Sequence, residues 1–294
     1  MKSRIQFIVS MAIFGTIGLV VKHIDLSSSA AALLSSSIGG GFLMCVVLVT
    51  KKKIPWNLVK SNFIGLICSG VALAGNWIFL YGSYQYTTVT NATLAYYFAP
   101  VIVMICSPIM LHEHLSVKKI LCIFTAVIGM VMIVGTGFSA FGKQDLLGIF
   151  LGLIAAVFYA SLMLVNKFIH DMDKLELTMI QLGTAAVLLF FYVFFTEGLA
   201  FLSVSKSALP FIALLGIVNT GIGFWLFFSG MQKLSGQSIA VLSYVDPLVA
   251  ILISGVVLHE RMTVVQVLGG ILLLGSTFTS EIKSLHEPHE NIIA

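Results

Sequence analysis

Charge is what this sequence has least of. Asp, Glu, Lys and Arg make up 10% of the 294 residues, against about a quarter in a soluble domain. With 59% hydrophobic residues and a mean hydropathy of +1.05, there is too little polar surface to clothe a soluble core of this size. Disorder is excluded too, since it needs low hydrophobicity and high charge. Cysteine is sparse: Cys45, Cys68, Cys106 and Cys122 all lie in apolar stretches, and none forms a C-x-x-C pair. Neither a zinc site nor a disulfide framework is indicated. Catalytic signatures are missing as well. His112, Glu113 and His114 do not make H-E-x-x-H, and the chain has no G-x-S-x-G and no G-x-x-x-x-G-K-[ST]. An enzyme, a bound cofactor or metal, and use of ATP by the chain itself are therefore not expected. The net charge of +4 is scattered between apolar runs, so nucleic acid is not an expected partner.

What the chain has is apolar runs of membrane-crossing length, for which about 20 residues suffice. Ten are present, at 5–21, 30–49, 62–84, 90–111, 117–134, 147–166, 176–195, 208–229, 238–258 and 263–280. The first follows Lys2 and Arg4 as a secretory signal would, but equal runs follow it, and it reads as a span rather than a cleaved leader. The expected partner is the lipid bilayer. Basic residues orient the spans. With the N-terminus inside, 12 of the 16 Lys and Arg fall in inner segments, and only Lys22, Lys143, Lys206 and Arg261 fall outside. Both termini are then cytoplasmic and the membrane is the cytoplasmic (inner) one. Residues 282–294 form a polar tail, whose His286, Glu287, His289 and Glu290 read as solvated rather than metal-binding.

The second half repeats the first. At an offset of 147, Tyr97, Pro100 and Ser107 fall on Tyr244, Pro247 and Ser254, and Leu111, His112 and Glu113 fall on Leu258, His259 and Glu260. At an offset of 148, Gly75, Trp77 and Gly82 fall on Gly223, Trp225 and Gly230. Each repeat holds five spans, and an odd number forces the copies into opposite orientations. The fold class expected is an all-α membrane protein of ten transmembrane helices in two inverted five-helix repeats, 1–140 and 145–281. That plan belongs to secondary transporters, with the site between the repeats near the midplane.

Asp246 is the sharpest chemical feature. It lies about eight residues into its span, about 12 Å deep at 1.5 Å per residue. A carboxylate near the bilayer centre costs roughly 2.5–3.5 kcal/mol on insertion scales, so it should face a cavity or a partner. The helical wheel puts Ile239, Ser243, Asp246, Pro247, Ala250 and Ser254 on one face, with Val241, Leu242, Val245, Leu248, Val249, Leu252 and Ile253 on the other. Two readings stay open: a site for a substrate amine or a proton, or a carboxyl holding helices together. Pro100 and Pro247 each remove a backbone donor inside a span, as matched gating bends or as packing kinks. Trp77, Tyr81 and Tyr84 share a face of the third span, and Tyr96 and Tyr97 follow on the fourth. Aromatic residues with a polar tip suit organic cations or an interfacial belt. Tyr84 and Tyr86 read as belt, and Trp77, Tyr97, Trp225 and Tyr244 as cavity lining. Asn76, Asn91, Asn166, Gln181 and Asn219 read as interhelical hydrogen-bonding amides. Lys22 and Lys167 should snorkel. Ser36, Ser37, Gly40 and Gly41 should mark close helix contacts. Glu113 and Glu260 should cap helices or pair with Lys118 and Arg261.

Several of these residues resemble the EamA-type branch of the drug/metabolite transporter superfamily: Asn76, Trp77 and Gly82, Pro100 followed by Glu113, and Asp246 with Pro247 followed by Glu260. The resemblance covers nearly the whole chain. Phe14 and Gly15 stand where the family more usually has Trp-Gly. The resemblance implies a secondary transporter working by alternating access, with a cavity lined by spans 1, 3, 4, 6, 8 and 9. The cargo implied is a small organic metabolite, an amino acid or a related amine-bearing compound, moved outward with protons as a candidate coupling partner. The substrate-binding set expected is Asp246, Tyr244, Ser243, Asn76, Trp77, Tyr81, Tyr96, Tyr97 and Trp225. An intramembrane enzyme or a non-transporting receptor is the alternative.

The charge bias yields a direct test of orientation. Single cysteines at Lys52 and Lys143 should react with impermeant reagents from opposite sides of the membrane. Reaction from one side only would sink the ten-span arrangement.

Overall fold

The computed structural model describes residues 2–52, 54–87, 89–114, 116–134, 143–202, 204–256 and 263–282. Glu260, Arg261 and the polar tail from residue 283 lie outside them. Among the described residues all regular structure is helical. Apolar runs carry the helices, and polar residues end them. Ser27 starts α3 (Ser28–Val49), its hydroxyl accepting from the Ala30 amide at 3.1 Å. Asp173 starts α10 (Lys174–Glu197) in the same way through the Leu175 amide at 2.9 Å. Such caps take up backbone donors that a helix cannot satisfy itself.

Six helical segments are long and apolar enough to cross a membrane: Lys2–Val21, Ser28–Val49, Phe63–Ser83, Asp145–Phe168, Lys174–Glu197 and Leu209–Met231. The first is α1 (Lys2–Gly15) and α2 (Ile17–Val21) with a break at Thr16, the third is α5 (Phe63–Ser83), and the fourth coincides with most of α9 (Lys143–Val165). The last is α11 (Leu209–Leu214), a π-helical stretch Leu215–Ile222, and α12 (Gly223–Met231). Two further segments are broken in matching places. The first divides into α6 (Val89–Tyr96) and α7 (Ala99–Leu111), the second into α13 (Gly236–Leu242) and α14 (Val245–Val256). The breaks fall at residues 97–98 and 243–244, just before Pro100 and Pro247. Among the described residues the remaining α-helices are the short α4 (Trp56–Ser61), α8 (Val117–Val134) and α15 (Val264–Ile282).

The second break overturns the single helical wheel expected for residues 239–254. Ile239, Ala240, Val241 and Leu242 are all buried, so α13 has no lipid-facing side. The helix ends at Leu242 and restarts at Val245, which resets the angular phase of everything after it.

Packing runs in matched pairs. α3 lies on α10, α8 on α15, and α7 on α13. The contact of α5 with α9 is answered by α1 with α12, and that of α5 with α10 by α3 with the π-helical stretch. Individual glycines match too. A Cβ on Gly75 would meet the Phe158 ring at 2.7 Å, and one on Gly223 would meet the Phe14 ring at 2.8 Å. In α3 one of the two expected pairs packs closely, with Ser36 buried and a Cβ on Gly40 3.6 Å from Leu182, and a tighter approach falls at Gly39. A Cβ on Gly39 would come within 2.9 Å of the Gly216 carbonyl, whereas nothing lies within 4 Å of one on Gly41, and Ser37 is exposed. The core between α1 and α12 is aromatic, with Phe14 and Phe224 centroids 4.8 Å apart and Phe7 and Phe227 5.3 Å apart. The outer surface carries bare apolar side chains, Val49 at 81% and Ile64 at 78% exposure. A surface of this kind suits a lipid environment.

Two ends can be told apart. At one, Gly230 meets the Ser3 carbonyl; we call this the near end. Here the two halves of the chain are tied together. Glu113 Oε1 accepts from the Gly236 amide at 2.8 Å, and Gln237 Nε2 donates to the His114 carbonyl at 2.6 Å. Lys119 Nζ donates to Ser235 and Ser238, and Asn62 Nδ2 to the His170 carbonyl at 3.2 Å. Lys52 pairs with Asp173. Burial pushes the Asp173 carboxyl up, but the Lys52 ammonium and the Leu175 amide outweigh it and hold the group below the usual carboxylate range. The stabilisation is therefore present above the ordinary carboxyl pKa and is lost as pH falls through the lowered one. Both side chains are 43% exposed, so the pair is worth under about 1 kcal/mol. At the far end His23 stacks on Phe211 at 4.4 Å, and Thr87 donates to Asp145 at 2.8 Å.

Candidate functional site

The two helix breaks meet each other. Tyr244 Oη donates to the Tyr97 carbonyl at 3.2 Å, so the tyrosine three residues before Pro247 satisfies the backbone opened three residues before Pro100. Both tyrosines come from mirrored positions. They line a void of about 10 Å³ with Phe98, Val127 and Met130, which is room for about one water. Ser243 turns its hydroxyl back onto the Ile239 carbonyl at 2.7 Å.

The restart of the helix at Val245 places Asp246 in its first turn. The field of its carboxylate reaches the phenols of Tyr84, Tyr96, Tyr97 and Tyr159. Around it the rings form a continuous wall: Tyr96 lies 5.7 Å from Tyr97 and stacks on Tyr159 at 5.4 Å, and Tyr159 stacks on Phe227 at 6.2 Å. Asn76 shares a hydrogen bond with the Tyr96 phenol and donates to the Ala155 carbonyl at 3.0 Å. Tyr81 joins through Tyr84, 6.2 Å away. Trp77 stands edge-on to Phe224 at 5.8 Å, and Trp225 packs half-buried on the apolar core. Of the residues singled out in the sequence, Asp246, Tyr96, Tyr97, Tyr244, Tyr81 and Asn76 are thus joined in one network. Trp77 and Trp225 sit in the aromatic packing beside it.

Two members stand outside the expected binding set: Tyr84, although it shares a face with Trp77 and Tyr81, and Tyr159. Tyr84 ends its span, which reads as interfacial belt; the fold instead turns it inward, where its phenol is hydrogen-bonded to Thr93. Tyr159 stands alone in an apolar run of α9, without a periodic pattern to mark it. The amides of Asn76, Asn166, Gln181 and Asn219 make the expected bonds between helices, whereas Asn91 donates to Thr87, four residues earlier in its own segment, at 3.2 Å. Gln181 donates to Asn166 at 2.7 Å, and Asn219 to the Ile13 carbonyl and the Thr16 hydroxyl, both at 2.8 Å. Lys167 does more than snorkel: its ammonium donates to the Gln232 carbonyl at 2.8 Å and to the Leu234 carbonyl, just past the end of α12. Glu113 does cap a helix, but the helix is α13 of the other half.

Gly15 sets the depth at which Asp246 lies. A Cβ there would sit 2.7 Å from the Asp246 carbonyl and 2.8 Å from Val249 Cβ. Backbone thus touches backbone where α1 crosses α14.

The family model described as the EamA-like transporter family matches residues 1–135 and again 146–280. The chain belongs to the EamA-like transporter family and is a multi-pass membrane transporter. An uncharacterized transporter of Bacillus subtilis (strain 168), YxxF, is 30% identical over 92% of this chain and 86% of its own length. An uncharacterized transporter of Archaeoglobus fulgidus (strain ATCC 49558 / DSM 4304 / JCM 9628 / NBRC 100126 / VC-16) is 28% identical over 65% of this chain and 66% of its own. A solved crystal structure shares the fold, with a TM-score of 0.83 at 17% identity over 95% of this chain and 98% of that one.

The glycine contact gives a matched pair of variants. Gly15→Ala should push α14 off α1 and cost about 1–3 kcal/mol, as overpacking does. Gly18→Ala, with nothing within 4 Å of the added carbon, should melt as the parent does. Equal melting temperatures for the two purified variants would contradict the close contact.

Proposed function

We propose that this protein is a secondary transporter that exports an amine-bearing organic metabolite, an amino acid or a relative of one, across the cytoplasmic membrane by alternating access. The observation that carries this reading is Asp246. It is a carboxylate set among four phenols, at a helix restart, in the middle of an apolar bundle. A lone carboxylate in that setting needs a partner, and an ammonium group gives it one. The surrounding ring faces add cation–π attraction. A proton could occupy the same oxygen when the amine is absent, so proton and cargo would compete for one group.

The near end is the cytoplasmic face in this reading, with both termini on it. Lys2, Arg4, Lys51, Lys52, Lys119 and Lys233 all belong to segments at that end, in keeping with the positive-inside rule. The matched breaks, the matched glycine–phenylalanine contacts and the paired helix packing support two inverted five-helix repeats, 1–140 and 145–281. Broken helices flanking a central ligand are the usual device of such transporters. Alternating access would open and close the polar ties at the near end, where Glu113, His114, Lys119, Asn62 and Lys52 all meet partners in the other half.

Asp246→Asn preserves shape and removes the charge. Purified and reconstituted, this variant should melt as the parent does and lose concentrative uptake of its amine cargo. A variant that melts lower yet transports at the parental rate per folded molecule would make Asp246 a packing residue and overturn the reading.

A further inference from the structure

A second cavity lies at the far end, away from Asp246. It has a volume of about 190 Å³, room for several waters. Its walls come from the start of α3, the end of α5 and the end of α10. Ser27 and Gln85 at its rim are exposed, while Tyr81, Tyr84 and Tyr192 are half-buried. Glu197 supplies a carboxylate to the lining. Both carboxylate oxygens are held in place, one accepting from the Ser27 hydroxyl and the other from the Ser29 hydroxyl. That clamp joins the halves of the chain, and its plain role is to seat Glu197 against the first turn of α3. But a carboxylate has about four acceptor positions, and the two serines fill only two. The remaining positions belong to a group beside three phenol rings.

We propose that this vestibule is a second binding station, selective for an organic ammonium group, through which the cargo passes between Asp246 and the far side. The proposal rests on the amine-bearing cargo assigned above. Its chemistry is that of a cation site. A carboxylate supplies the countercharge, and the tyrosine faces present their negative quadrupole to an alkylammonium within reach. An anion would meet the Glu197 charge instead. A neutral polyol would find the serine hydroxyls already donated to the carboxylate. The two stations share a wall. Tyr84 lines the vestibule and also lies in the field of Asp246, and Tyr81 lines the vestibule 6.2 Å from Tyr84. An ammonium passing from one carboxylate to the other would therefore have Tyr84 beside it at both stations.

The test is protection of a reporter in the vestibule. Ser28 lines the cavity, so the full chain carrying Ser28→Cys is reconstituted and labelled with an impermeant maleimide, with the unmutated chain as blank. The background carries Asp246→Asn, so that the central station cannot contribute. Butylammonium should slow labelling about threefold or more at concentrations above its Kd, and butanol should not. Adding Glu197→Gln should abolish the protection. Tyr192→Leu, which leaves the serine clamp intact, should abolish it as well, and serves if Glu197→Gln fails to fold. Labelling that butylammonium leaves unchanged, or slows equally in both variants, overturns the vestibule site. The two readings fail separately. Protection in a background whose Asp246→Asn flux is normal removes the central station and keeps the vestibule, and lost flux without protection does the reverse.

Discussion

The structure turns on one constraint: a backbone group opened inside hydrocarbon must find its partner within the protein. Pro100 and Pro247 each break a helix, and each break leaves peptide groups without their usual ladder. The fold answers by bringing the two breaks together, so that the Tyr244 hydroxyl reaches the Tyr97 carbonyl. Once those residues touch, α7 must lie on α13, and α14 must restart where its first turn faces the tyrosines of the other half. The position of Asp246 follows from that restart. Gly15 then allows α1 to close against it with no side chain between the backbones.

This order of cause separates what the residues reveal from what only the fold reveals. The offset of 147 pairs Tyr97 with Tyr244 and Pro100 with Pro247, and both pairs lie at the meeting point. Asp246 stands out because a charge in an apolar run must face a cavity or a partner. The failures share a different origin. A helical wheel assumes unbroken phase, and the break at residues 243–244 removes it, so the buried surround of α13 is hidden from the pattern. Tyr84 reads as belt because position along a span tells depth but not the direction a frayed helix end will turn. Tyr159 and Glu197 have no repeat partner and no motif. Their roles arise only when α9 packs on α6 and α7, and when α10 delivers its last turn to the first turn of α3. Glu113 is legible as a cap, but its helix lies 123 residues away in sequence, and no local pattern names such a partner.

The two ends of the bundle differ in what holds them. The near end is closed by polar ties between the halves: Glu113 to the start of α13, His114 to Gln237, Lys119 to Ser235 and Ser238, and Asn62 to His170. Each is a single hydrogen bond or a small set of them, worth about 0.5–1.5 kcal/mol net. Together they are strong enough to favour closure and weak enough to be exchanged for water. The far end has a cavity between the halves, with a carboxylate and three phenols in its walls. In the proposed cycle the near-end ties part while the far-end cavity collapses, and the helix breaks are the points at which the two halves of each broken span can swing independently.

The most direct test is to fix the near end shut. Cysteines at His114 and Gln237, bridged by a cleavable bis-methanethiosulfonate, should stop flux while leaving the vestibule open to impermeant reagents, and reductive cleavage of the bridge should restore flux. Undiminished flux with the bridge intact would contradict alternating access through this end.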